Sequence, residues 1–275
     1  MNKKIYTPSN NESLVKLFKG ICNGLADGHT LGLRLFRRDL KAGFEALDFF
    51  KSIPDSFNYQ SVCYNNLGSL YKDLKEYDKA KEMFELGIAA GKQADEKRMV
   101  SNLYNNLAGL AISTQQFDEG AVFATLALTG FRELNHKHGE VHALVFLGHC
   151  ILGKGSFAEA LQHYLSSLKL LKNVDHKLVE IQVYKGMGNV YVKMLAYPEA
   201  LRYFEKGLAV CMKVSEYNEA TDIYLLIAEM YLQAKEQQAA LQYFNKAVAL
   251  HTEQNLTEKA DKIAQLQNAF SAQLA

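Results

Sequence analysis

The 275 residues carry 31 Lys and Arg against 30 Asp and Glu, a formal charge of +1, so no global field draws the chain to nucleic acid or to an anionic membrane. Apolar residues make up 48%, ample for a sizeable core, yet no uninterrupted apolar run approaches the roughly 18 residues that a bilayer crossing requires. Three Pro, no Trp and abundant Ala, Leu, Lys and Glu favour helix over strand and predict an all-α chain.

In chain order, residues 1–10 (MNKKIYTPSN) have no apolar signal region and read as a flexible N-terminus of a cytoplasmic protein. Residues 11–54 are helical in pattern, LVKLFKGICNGLA and then LRLFRRDLKAGFEALDFFKSI, without the periodic signature that follows, as expected of a degenerate N-terminal repeat. Arg34, Arg37, Arg38 and Lys41 lie at helical spacing and read as a solvated basic face.

From 55 to 255 the chain is similar to itself at a period of 40. Gly68, Ala108, Gly148, Gly188 and Ala228 keep this register, each preceded by an apolar residue: Leu67, Leu107, Leu147, Met187 and Ile227. Tyr64, Tyr104, Leu144, Tyr184 and Tyr224 stand four residues earlier, on the same helical face. A second ladder, Ala80, Gly120, Ala160, Ala200 and Ala240, carries Phe84, Ala124, Tyr164, Phe204 and Phe244 four residues later and marks a second helix per repeat. Small residues let two helix backbones approach while the neighbouring aromatic fills the groove beside the contact. A third ladder, Asp55, Asp95, Asn135, Asp175, Ser215 and Asn255, consists of residue types that cap helix N-termini, and we assign it that role. Asp78, Asp118, Glu159 and Glu199, with Pro198, suit the first turn of the second helices. Residues 256–275 read as one C-terminal capping helix.

Catalytic chemistry finds no constellation to carry it, and the chain is not expected to be an enzyme. Cys22, Cys63, Cys150 and Cys211 form no CxxC pair and read as reduced, mostly buried thiols. His136, His138, His142 and His149, with Glu140 among them, form the only dense group of metal-ligand types; His138 and His142 stand i, i+4 on a predicted helix, a spacing that can present two imidazoles to one ion, but His136 and His138 fall in the inter-repeat turn and no HExxH pattern is present, so the histidines read as surface or groove residues, with no metal and no cofactor expected. Gly153 to Ser156 (GKGS) lacks the strand and spacing of a phosphate-binding loop.

The pattern Tyr64, Leu67, Gly68, Tyr71, Tyr77, Ala80, Phe84, Gly87, Ile88 resembles the tetratricopeptide repeat (TPR) consensus and recurs over about 55–94, 95–134, 135–174, 175–214 and 215–254. Where the common shorter repeat closes its second helix with Pro, this chain has Lys92, Arg132, Lys172, Met212 and Thr252. YNNLGSLY and YNNLAGL resemble the longer repeats of kinesin light chain and of the spindle-orientation adaptors. The resemblance implies a right-handed α-solenoid of helix-turn-helix repeats whose first helices line a concave groove. Groove positions then fall on Asn65, Asn66 and Ser69; on Asn102, Asn105 and Asn106; on His142 and His149; on Gln182, Lys185 and Asn189; and on Asp222 and Glu229. This path runs from neutral amides to carboxylates, and the acidic end is expected to favour a basic segment. Asparagine is a middling helix former, so its concentration on two adjacent helices calls for a use other than helix propensity; an amide both donates to and accepts from the main chain of an extended peptide. The carboxylate clamp of chaperone-binding TPR modules needs several groove Lys and Arg, and only Lys185 stands out.

These features predict a non-catalytic protein-protein interaction scaffold with a protein or peptide partner, no nucleic acid and no membrane, and with self-association possible through the terminal helices. The alternative is a regulatory sensor or effector-binding module of a signalling system, since LTEKADKIAQLQNAF looks like the junction that follows TPR sensor regions in bacterial signalling proteins.

Overall fold

A computed structural model describes residues 33–254, 256 and 260–274, with side chains over 39–254, 256 and 260–268. Residues 1–10, expected above to form a flexible N-terminus, the first stretch of the expected degenerate repeat with Cys22, the side chains of Arg34, Arg37 and Arg38, and Asn255 lie outside the described residues. The described residues form α-helices and no strand: α1 (Leu33–Lys51), α2 (Phe57–Asp73), α3 (Tyr77–Gln93), α4 (Lys97–Ser113), α5 (Phe117–Glu133), α6 (Lys137–Gly153), α7 (Phe157–Leu171), α8 (Lys177–Lys193), α9 (Tyr197–Val214), α10 (Tyr217–Gln233), α11 (Gln237–Glu253) and α12 (Ala260–Leu274). They belong to two compact units divided between Leu134 and Asn135. In each unit the helices pack chiefly as hairpins, α2 with α3 and α4 with α5 in the first, α6 with α7, α8 with α9 and α10 with α11 in the second.

The helix ends repeat every 20 residues. Lys75, Asp95, Gln115, Asn135, Gly155, Leu195 and Lys235 each have positive φ and each follow a helix by two residues, while Ser215, also at positive φ, directly follows α9. After α2, for example, Lys75 N–H donates to the Lys72 carbonyl and Glu76 N–H to the Tyr71 carbonyl, both at 2.9 Å, which satisfies two of the helix's last free carbonyls. The residue after each left-handed position then opens the next helix.

This corrects the reading of the third ladder. Asp55, Asp95, Asn135 and Ser215 have φ of 56°, 52°, 50° and 60° and stand in the left-handed turn, while the N-caps are their successors Ser56, Glu96, His136 and Glu216. Asn, Asp and Ser are favoured both at N-caps and in turns, and Asn and Asp tolerate the left-handed region, so residue type alone does not separate the two roles. Asp175 departs from the pattern: α7 ends early at Leu171, and the buried Val174 fills the turn before His176 starts α8.

The core is a series of local clusters. In the first unit Ala80, Phe84 and Ile88 of α3 pack with Leu103, Leu107 and Leu110 of α4. In the second, Ile181 of α8 meets Ala200 and Phe204 of α9 and Ile223 and Ile227 of α10, while Leu266 of α12 closes on Leu225, Ala228 and Phe244. The small and aromatic ladders are two sides of one contact. A Cβ placed on Gly68, Gly148 or Gly188 would lie 2.5, 2.7 or 2.4 Å from the ring of Phe84, Tyr164 or Phe204, sixteen residues on. Where Ala108 replaces glycine, the facing residue has shrunk to Ala124; where Ala228 does, Phe244 is 7% exposed in place of the 0% of Phe84 and Phe204.

Candidate functional site

In the first unit the helices that open the hairpins, α2 and α4, lie side by side. They bring Asn65, Asn66 and Ser69 together with Asn102, Asn105 and Asn106, all half-buried. Asn106 Nδ2 donates to Asn65 Oδ1 at 2.7 Å, Asn65 Nδ2 to Asn66 Oδ1 at 3.4 Å, and Ser69 Oγ to the Asn65 carbonyl at 3.0 Å. Asn105 Oδ1 is shielded from water and accepts no hydrogen bond. An amide offers two donors and an acceptor with two lone pairs, so this chain of three amides joined by two bonds keeps most of its capacity. A buried acceptor left unpaired in this way costs about 1–3 kcal/mol.

The second unit arranges its groove positions differently. His149 Nδ1 is hydrogen-bonded to the Tyr164 hydroxyl at 2.8 Å, and Tyr164 is fully buried against Gly148 and Gly186. Burial, and then the Lys185 ammonium, lower the His149 pKa to about 4, while burial pushes the Tyr164 hydroxyl up, so both are neutral across the physiological range. His142 Nε2 lies 3.1 Å from Nε2 of His176. Burial, then His176 and His138, lower the His142 pKa to about 4.

Farther along, Lys185 Nζ donates to Glu219 Oε2 at 2.8 Å and to Asp222 Oδ2 at 2.5 Å, and Gln182 Nε2 donates to Glu219 Oε1 at 3.4 Å. Burial works against the Lys185 ammonium, but Asp222 and Glu219 outweigh it and the pKa is raised. Lys262 of α12 pairs with Asp222 at 3.2 Å and with Glu229 at 3.6 Å. Asn189 is half-buried on α8, one turn beyond Lys185. The acidic end is therefore an alternating ladder of lysines and carboxylates, already neutralised in large part by the chain itself. Sequence reasoning missed Tyr164, His176, Glu219 and Lys262 as members. Lys262 had a signal, since it stands one 40-residue step beyond Asp222, in the register of Asn102, His142 and Gln182. His176 and Glu219 had none, because they reach this face from the starts of α8 and α10.

Stacked helical hairpins whose opening helices present polar side chains in register define a helical-repeat protein of the α-solenoid class. Residues 62–90 and 178–253 each match the tetratricopeptide repeat family, so the chain carries tetratricopeptide repeats in both units. No curated protein matches it by sequence. Solved structures share its fold. BtubC (BKLC) from P. vanneervenii is 16% identical, with a TM-score of 0.66 over 81% of this chain and 93% of that one. A Rap protein complexed with competence and sporulation factor is 14% identical, with a TM-score of 0.66 over 88% of this chain and 72% of that one. NprR in complex with its cognate peptide NprX is 18% identical, with a TM-score of 0.61 over 94% and 82%. Among the described residues no helix is long and apolar enough to cross a membrane.

Proposed function

We propose that the chain is a non-catalytic interaction module that holds an extended peptide or partner segment against the opening helices, with Asn65, Asn66, Asn102, Asn105 and Asn106 as the main-chain clamp. The observation that carries this reading is the amide chain across α2 and α4, with an unpaired acceptor on Asn105 beside it. Amides fit a backbone whatever its side chains, which suits recognition of an extended segment. The structurally similar NprR is in complex with its cognate peptide NprX, which supports the same use here. The test is affinity capture of a partner with the wild-type chain, followed by titration of that partner against Asn105→Ala/Asn106→Ala. A tenfold or greater loss with an unchanged circular-dichroism spectrum is the expected result. Unchanged affinity removes the amide clamp.

The second reading, a regulatory peptide sensor, is favoured by the lysine–carboxylate ladder of the second unit. Lys185 and Lys262 each hold two carboxylates, so a charged ligand has alternative pairings to select. Small-angle scattering with and without the captured partner separates the readings: a changed profile belongs to the sensor, an unchanged one to a passive scaffold.

A further inference from the structure

The histidines at the start of the second unit are absorbed neither by the peptide clamp nor by the charged ladder. His136 is the N-cap of α6, its Nδ1 accepting from Gly139 N–H at 3.0 Å. His138 follows on the first turn, exposed, with its ring 6.3 Å from that of His136 and 6.1 Å from that of His176. His142 stands one turn later on the same helix face, its ring 4.8 Å from that of His176. His176 is the N-cap of α8, so its position is tied to the start of that helix. The two Nε2 atoms of His142 and His176 face each other at 3.1 Å.

We propose that His142 and His176, joined by His138, bind a divalent transition-metal ion of the zinc class that staples α6 to the start of α8. Two zinc–imidazole bonds of about 2.0–2.1 Å at a tetrahedral angle place their nitrogens about 3.3–3.4 Å apart, so the facing pair has to open by only about 0.2–0.3 Å. In the metal-free pair one imidazole donates its Nε2 proton to the other. On binding, that ring becomes the Nδ1–H tautomer and both Nε2 lone pairs turn to the ion, with no net proton exchanged. His138 and His142 have the i, i+4 spacing with which one helix presents two imidazoles to one ion. Among the described residues no three His, Cys, Asp or Glu side chains already converge on one point. The third bond therefore forms when the exposed His138 side chain rotates inward, and water completes the coordination.

The experiment uses the full chain, stripped with chelator, and zinc chloride alone in a non-coordinating buffer. Calorimetric titration is expected to show one ion per chain, with a rise in the thermal midpoint at saturation. Cobalt(II) in place of zinc is expected to give the visible absorption of a tetrahedral nitrogen site. His142→Gln and His176→Gln should each weaken binding by more than about tenfold, His138→Gln should weaken it less, and His136→Gln should leave it unchanged. Far-UV circular dichroism of each metal-free variant reports whether it is folded, and the cobalt spectrum of the wild-type chain tests the site without any variant. Absence of saturable binding at micromolar zinc overturns the proposal, as does binding that survives both His142→Gln and His176→Gln or is lost in His136→Gln. Asn105→Ala/Asn106→Ala is expected to bind zinc normally, so this test is independent of the peptide clamp.

Discussion

The contact between Gly188 and Phe204 makes a prediction whose sign depends on the partner. A Cβ at position 188 would lie 2.4, 2.6 and 2.8 Å from three carbons of the Phe204 ring, and that ring is fully buried among Ile181, Ile223 and Ile227 with no room to retreat. Alanine gains about 1 kcal/mol over glycine within a helix, whereas overpacking costs about 1–3 kcal/mol, here at the upper end because the obstruction is a walled-in ring. Gly188→Ala is therefore expected to destabilise the protein by about 1–2 kcal/mol. Phe204→Ala alone should cost about 3–5 kcal/mol through the cavity it leaves. In that background the added Cβ points into the cavity, and Gly188→Ala should stabilise by about 1 kcal/mol, the helix preference acting alone. The cycle thus carries a coupling of about 2–3 kcal/mol, and the native pair Ala108 and Ala124 shows that the doubly small arrangement is acceptable. Urea denaturation of the four proteins measures it. If Gly188→Ala destabilises equally in both backgrounds, the steric account of the small-residue ladder is wrong. Gly188→Leu should cost more than the alanine, and an unchanged thermal midpoint would contradict the same account.

The pH dependence follows from His149, whose pKa falls from 6.5 in its ordinary state to about 4 in the fold. The unfolded chain then binds the extra proton first, so stability is unaffected above pH 6.5 and is lost as pH falls towards 4. Relative to His149→Gln, the wild-type protein should lose about 2 kcal/mol between pH 7 and pH 5, read from urea midpoints; a difference that does not change with pH would show that burial and the Lys185 ammonium do not hold the imidazole neutral. Leu195 has φ of 59° and is 70% exposed, so Leu195→Gly relieves the left-handed penalty without losing packing and should raise stability by about 0.5–1 kcal/mol in a thermal melt. Lys185→Ala takes the ammonium from Asp222 and Glu219 in a partly buried site, leaving Asp222 to Lys262 and Glu219 to Gln182, and its cost should shrink when Asp222→Ala is added; additive losses would mean that the 2.5 Å pair contributes nothing. Burial pushes the Cys150 and Cys211 thiols up to about 12, so a thiol-alkylating reagent at pH 8 should label both only after denaturation, as mass spectrometry of the digests would report.

The repeat and the all-α class were legible because they follow from local rules. Apolar residues at helical spacing must be buried, and a period of 40 in small and large side chains implies that one packing solution recurs. The candidate site was legible in part. The positions of Asn65, Asn66, Asn105 and Asn106 on two opening helices could be read from register, but the hydrogen bond that joins Asn65 to Asn106 across 41 residues could not. Asp55, Asp95, Asn135 and Ser215 were legible as punctuation and not as left-handed turn residues, because their side chains suit both places.

By itself, then, the sequence determined the helices, their period and which faces are apolar, since these depend on neighbours within a turn or two of the chain. Only the tertiary structure decided which polar residues of those faces were already engaged. His149 is held by Tyr164 fifteen residues away, Lys185 by Glu219 and Asp222, and Asp222 by Lys262 forty residues away. A periodic pattern places each of these groups on a face but does not carry the interhelical distances, and a hydrogen bond or ion pair forms or fails within a few tenths of an ångström.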